Sequence, residues 1–188
     1  MGTVKVTNIE PIADNGTVTL GSSGDTFALA SGAKQQLLRP AWAATLSTDQ
    51  SITSNTTTKV QFAYEILDTD GAYDPTTNYR FTVPSGKAGK YFVTARLCVK
   101  SSTETGMKDG RTLIYKNGSQ YSFAIFDSGN PGERISITNS EIIDLSENDY
   151  IEIYTYILAD GSPTLSLDYV GSGQGDLRCS VNGYRIGD

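Results

Sequence analysis

Histidine is missing altogether from the 188 residues. Without it no Ser-His-Asp or Cys-His nucleophile system can be assembled, and a common zinc ligand is lost. Cysteine is nearly missing too. Cys98 and Cys179 stand far apart and offer no close pair of the kind a metal cage uses. They read either as two reduced strand cysteines or, if their strands are neighbours, as a disulfide. There is no excess of positive charge: 15 Lys and Arg against 21 Asp and Glu leave a net charge of −6. The cations are scattered rather than gathered in a stripe, which argues against nucleic-acid binding. No apolar run approaches the ~20 residues of a membrane helix, so membrane insertion is not expected. The opening MGTVKVTNIEPIADNG has no apolar stretch followed by small residues, so it does not read as a secretory leader. Val6 stands where a myristoylation signal prefers Ser or Thr. The Gly-rich stretches GSSGDT and GSGQGD lack the lysine and the strand-to-helix context of a phosphate loop.

What is present is a globular composition, 38% hydrophobic, with 11 Tyr and 6 Phe. The chain divides near residue 38, into an N-terminal segment 1–38 and a larger domain 39–188. In the first, Val18 and Leu20 are answered by Phe27 and Leu29, with Gly21, Gly24 and Gly32 as punctuation. Each half is a short alternating strand, and two such strands cannot bury an apolar face alone. The segment is therefore a β-rich shaft completed by other copies, or a tether. From residue 39 onward the period is two. KVQFAYEIL reads as one strand with Val60, Phe62, Tyr64 and Ile66 on a common face. YFVTARLCV sets Tyr91, Val93, Ala95, Leu97 and Val99 against Phe92, Thr94, Arg96 and Cys98. YIEIYTYIL sets Ile151, Ile153, Thr155 and Ile157 against Tyr150, Glu152, Tyr154 and Tyr156. Asn117-Gly118 between two such runs marks a hairpin, since both positions tolerate positive φ. TLSLDYV and RCSVNGYRI close the chain, and no convincing amphipathic helix is found. Eight or so short strands between Gly, Pro and Asn turns predict an all-β sandwich or barrel.

Several strands carry aromatics on the face opposite their aliphatic one. A solvated outer face is normally polar, so the second faces predict a subunit interface in a closed homo-oligomer, with Phe92, Tyr154 and Tyr184 as candidates. Tyr73, Tyr79, Tyr121 and Tyr169 are candidates for an exposed receptor-binding platform. Asp68, Asp70 and Asp74, close together in LDTDGAYDP, suit a hard cation such as calcium, though the spacing is not that of an EF-hand; no other cofactor is expected. Carboxylates are numerous, yet no pair is held together in the manner of a glycoside hydrolase. Trp42, just after Pro40, reads as packing.

One stretch orders these features. Tyr73-Asp74-Pro75, then Tyr79-Arg80-Phe81-Thr82-Val83-Pro84, then Gly89-Lys90-Tyr91-Phe92-Val93 resembles the signature of the complement component 1q globular head family. Pro40-Ala41-Trp42-Ala43-Ala44, Val60-Gln61-Phe62, Tyr115-Lys116-Asn117-Gly118, Leu145 to Ile151 and Ser180-Val181-Asn182-Gly183-Tyr184 resemble further pieces, in order, with Asn148 where the family has Gly. The resemblance implies a jelly-roll β-sandwich of about ten antiparallel strands, related to tumour necrosis factor and assembled as a tight trimer. Its inner sheet would pack on the three-fold axis and so cover Phe92. It also implies that the strand of Cys98 runs beside the last strand, which holds Cys179, and so favours the disulfide more than the residues alone do. The collagen-like stalk of animal members is absent. The segment upstream instead resembles stretches found before such heads in bacteriophage fibre proteins.

The expectation is therefore a non-enzymatic, homotrimeric protein of the virion surface, from a tail or head fibre. Residues 1–38 would join it to other virion proteins. Loops 68–79, 100–111, 127–134 and 158–175 would bind a host-surface glycan or protein, with avidity from three sites. The alternatives are a structural capsid or tail decoration protein without receptor binding, a secreted complement 1q- or tumour necrosis factor-like ligand, and, least, a glycan-cleaving enzyme.

Overall fold

Period-two patterning is realised as strands over most of the domain. The computed structural model describes residues 40–103, 107–127, 133–170 and 177–187, within a unit that spans Arg39–Asp188. The shaft-or-tether reading of residues 1–38 lies outside the described residues. There is no helix among those described. Thirteen strands are: β1 Ala41–Thr45, β2 Gln50–Ile52, β3 Thr58–Lys59, β4 Tyr64–Asp68, β5 Tyr73–Asp74, β6 Arg80–Thr82, β7 Gly89–Ser101, β8 Met107–Lys116, β9 Ser119–Asp127, β10 Arg134–Leu145, β11 Tyr150–Ala159, β12 Leu165–Leu167 and β13 Ser180–Gly187. The excess over ten consists of two- and three-residue pieces.

All pairings are antiparallel, and the strands form two sheets. The first runs β2-β12-β7-β13-β1-β4, with β10 on the other edge of β7; the second runs β5-β6-β11-β8-β9, with β3 beside β11. The architecture is a jelly-roll β-sandwich. The expected core face of β7 (Tyr91, Val93, Ala95, Leu97, Val99) is fully buried, and so is that of β11 (Ile151, Ile153, Thr155, Ile157). The two faces meet between the sheets, where apolar burial contributes most of the stabilisation.

Aromatic rings bridge the sheets at one end. Trp42 of β1 is 2% exposed and stacks on Phe81 of β6, with ring centroids 3.7 Å apart and planes 3° from parallel. Tyr91 tilts against both. The ring of Trp42 lies over Gly183, whose Cβ, if present, would come within 2.3 Å of it. Glycine is required there by close approach rather than by backbone angle. The β8–β9 hairpin turns at Asn117 (φ 52°) and Gly118 (φ 75°), both left-handed as a two-residue turn of this kind demands.

One expected strand does not exist as such. KVQFAYEIL is divided: Thr58 and Lys59 pair with β11 in the second sheet, while Tyr64 to Asp68 pair with β1 in the first. Val60 and Phe62 are buried where the chain crosses between sheets, but Tyr64 and Ile66 are exposed. The alternation continues through the crossover, so the pattern has no visible break.

Candidate functional site

Both outer faces of the sandwich carry apolar surface, and they differ. On the first sheet, Ile142, Phe92 and Tyr184 form one cross-strand row over β10, β7 and β13. The Phe92 and Tyr184 rings lie 5.6 Å apart, while Ile142 is 60% and Tyr184 51% exposed. Ile186 and Leu67 are exposed nearby on β13 and β4. On the second sheet, β9 is an edge strand that presents Tyr121, Phe123 and Ile125 side by side to solvent. Beside them the Arg111 guanidinium sits over Tyr156 and Phe123, 5.0 and 5.7 Å from the ring centroids. The Tyr115 and Tyr154 rings are 4.1 Å apart on the same side. Of the three interface candidates, the structure thus brings Phe92 and Tyr184 together and puts Tyr154 on the opposite sheet.

The four platform tyrosines do not form one platform. Tyr73 is buried, and its hydroxyl donates to the carbonyl of Phe62. Desolvation pushes that phenol well above its usual range. Tyr79 is half-buried with a left-handed backbone (φ 47°). Tyr169 is partly buried against the core, and its N–H donates to Asp49. Only Tyr121 is widely exposed, and it belongs to the β9 strip.

Asp68 ends β4, Asp70 lies in the turn that follows and Asp74 lies in β5, but all three turn their oxygens to the chain itself. Asp68 accepts the N–H groups of Asp70 and Tyr73, and Asp70 accepts the Thr69 hydroxyl. Asp74 accepts N–H bonds from Thr76, Thr77 and Asn78, plus the Thr76 hydroxyl and the Asn78 amide. Those bonds, the Thr77 and Thr76 N–H groups foremost, hold its carboxyl far below the usual carboxylate range. No group of three or more His, Cys, Asp or Glu among the described residues is disposed to hold a metal ion.

Cys98 and Cys179 are neighbouring, buried, free thiols. The Sγ of Cys179 accepts the backbone N–H of Cys98 at 3.1 Å. Burial pushes the Cys179 thiol up to about 12.

A feature the sequence reading missed is the ion network around Asp168. This carboxylate is buried after β12 and holds three cations: Arg178 Nη1 at 2.5 Å, Arg134 Nε at 2.9 Å and Lys100 Nζ at 3.2 Å. Burial alone would raise its pKa, but the Arg178 bond, then Lys100 and Arg134, outweigh burial and keep it below the usual range. Lys100 also bonds Asp49 at 2.5 Å. The carboxylates with resolved shifts (Asp49, Asp74, Asp149, Asp168) are all held low, the reverse of what a glycosidase general acid needs. In the sequence these cations are spread over residues 100 to 178, and only strand register gathers them.

No family model matches the chain, and no curated protein does. Solved structures do. The globular domain of zebrafish complement 1qA is similar over 78% of this chain and 97% of its own, at 14% identity and a TM-score of 0.50. Murine APRIL is similar over 79% and 99%, at 12% identity and a TM-score of 0.54. Eiger TNF from S. frugiperda is similar over 80% and 92%, at 11% identity and a TM-score of 0.53. The fold is the complement 1q and tumour necrosis factor jelly roll. At such identities the likeness concerns the fold alone, and it agrees with the motifs read from residues 40 to 184.

Proposed function

We propose that the chain is a non-catalytic recognition head that works as a closed homotrimer and binds a partner through loops, in the manner of a complement 1q- or tumour necrosis factor-like ligand. The observation that carries this is the exposed row Ile142–Phe92–Tyr184 on one face, with a second, different apolar strip on β9 across the molecule. A contact that pairs like with like covers one patch at a time. A head-to-tail contact, the β9 side of one copy on the Phe92–Tyr184 face of the next, covers both, and a three-fold rotation between copies closes it into a ring. Three as the number of copies follows from the family resemblance. The ligand-type reading is the better supported, because the similar structures include a complement 1q domain and a tumour necrosis factor. The virion reading mounts the same head on residues 1–38, and its support is the Gly-punctuated pattern of that segment and its likeness to phage fibre stretches.

Sedimentation equilibrium of the full chain at micromolar concentration tests the assembly. Three chain masses are expected; one chain mass overturns it. The virion reading adds that the chain is recovered from purified particles and that labelled trimer stains a host cell. A trimer absent from particles leaves the ligand reading, and a particle-borne trimer that stains nothing leaves the decoration reading.

A further inference from the structure

An acidic chain has little reason to gather arginines, yet three of them converge on the outer face of the first sheet. Arg96, Arg134 and Arg178, with Cys98 and Ser136, line a cavity of ≈ 320 Å³. Register explains the convergence. Ser136 pairs with Cys98 and Arg134 with Lys100, while Ser180, two residues after Arg178, pairs with Arg96. All these residues therefore lie toward the Ser101 end of β7. The Phe92–Tyr184 row lies toward the other end, where the chain enters at Pro40, whose carbonyl accepts the Arg185 N–H.

Four cations (Arg96, Arg134, Arg178, Lys100) stand there with two carboxylates (Asp49, Asp168) among the described residues. Asp168 pins Arg134 and Arg178 by their side chains, so these guanidiniums are held beside the cavity before anything binds. Among the described residues no carboxylate pairs with Arg96, which stands exposed on the cavity wall. Arg96 and Arg134 carry like charge on one cavity wall, and an anion between them would relieve their repulsion. Planar N–H forks match the oxygens of carboxylate, sulfate and phosphate two at a time.

We propose that this cavity is an oxyanion-binding site: Arg96 and Arg134 hold a sulfate, phosphate or carboxylate group, Arg178 lies alongside, and the space takes a body up to about a sugar in size. Pre-positioning by the buried Asp168 is what separates it from a surface cluster of basic residues. The site stands on a single chain, so it is independent of the assembly proposed above.

The test is thermal unfolding of the full chain in low-millimolar sodium sulfate, phosphate, glucuronate or glucose, each against sodium chloride at matched ionic strength. Calorimetric titration of the same compounds accompanies it. The oxyanions are expected to raise the midpoint by about 2–4 °C once a few-fold above their dissociation constants, and glucose to do nothing. Arg96→Gln, which breaks no ion pair, and Arg96→Gln/Arg134→Gln should keep the fold and lose the shift. Sulfate also stabilises proteins by exclusion from their surface, but that effect would survive in the variants. A shift of equal size in wild type and Arg96→Gln, or none in wild type, overturns the proposal. Within a positive result, tighter binding of glucuronate than of sulfate assigns the site to an anion carried on a sugar, and the reverse to a free oxyanion. A monomeric protein that still binds sulfate would sink the trimer and leave this site standing.

Discussion

Trp42 of the first sheet lies flat on Phe81 of the second, 3.7 Å between centroids. The pair joins the two sheets, and Tyr91 closes the cluster. Removing the indole leaves a cavity that the sheets cannot close. Trp42→Ala should lower unfolding stability by about 3–5 kcal/mol, and Trp42→Phe by clearly less, both measured by urea titration. A change for Trp42→Ala within ~0.5 kcal/mol would mean that the rings carry no such load.

Gly183 is the counterpart of that stack. A methyl group there would sit 2.3 Å from one Trp42 ring carbon, 2.5 Å from another and 2.8 Å from the Phe92 carbonyl oxygen. The backbone can absorb only part of this. Gly183→Ala should cost about 1–3 kcal/mol, although alanine suits a strand no worse than glycine does. Placed in a Trp42→Ala background it should cost less, since the two ring contacts are then gone and only the Phe92 carbonyl contact remains.

The two apolar strips should fail separately under charge and alike in outcome. Tyr184→Asp on one face and Phe123→Asp on β9 are each expected to weaken self-association by about 30-fold or more, the scale of an interface hot spot. Both side chains are about half exposed in the single chain, so circular dichroism should remain that of a folded β protein. Retention of the full assembly mass by both variants would exclude these faces.

Asp74 makes stability depend on acidity. Its folded pKa is depressed, chiefly by the Thr77 and Thr76 N–H groups, then by Asn78 and the Thr76 hydroxyl. The ionised carboxylate is the stabilising form. Its contribution is complete above the unfolded value of ~3.9 and fades as pH falls below it. Asp74→Ala should therefore cost about 1 kcal/mol at pH 7, as for a helix-capping side chain, and much less at pH 2. A penalty equal at both values would contradict this.

The two thiols should be silent in the native protein. Cys179 has its pKa pushed up to about 12 by burial, and both cysteines are 2% exposed. Only the thiolate reacts with disulfide reagents. At pH 8 the folded chain should therefore titrate no thiol with an aromatic disulfide, and the unfolded chain two. A count of zero after unfolding would instead reveal a Cys98–Cys179 bond.

Local patterns with a local cause were legible. The Asn117-Gly118 hairpin needs only its own two backbone angles, and the core faces of β7 and β11 need only a period of two. The aromatic second faces were legible as unusual, but alternation does not say which sheet a strand joins. Phe92 and Tyr154 therefore share a description and not a face. Tyr73 illustrates another limit: a tyrosine beside a turn can send its ring inward and satisfy its hydroxyl on Phe62. The arginine cavity was illegible for the opposite reason. Arg96, Arg134 and Arg178 carry no local pattern, and they meet only because β10 and β13 flank β7 in a particular register.

The crossing at residues 58–68 bears on how the head comes apart. Thr58 and Lys59 are hydrogen-bonded in one sheet and Tyr64 to Asp68 in the other, and Val60 also donates to Ile153. With Phe62 clamped between them, this is a stitch through both layers. Neither sheet can open without pulling on the other. The head is therefore expected to melt as one cooperative unit, and a fault placed anywhere along the seam is felt by loops that lie far from it.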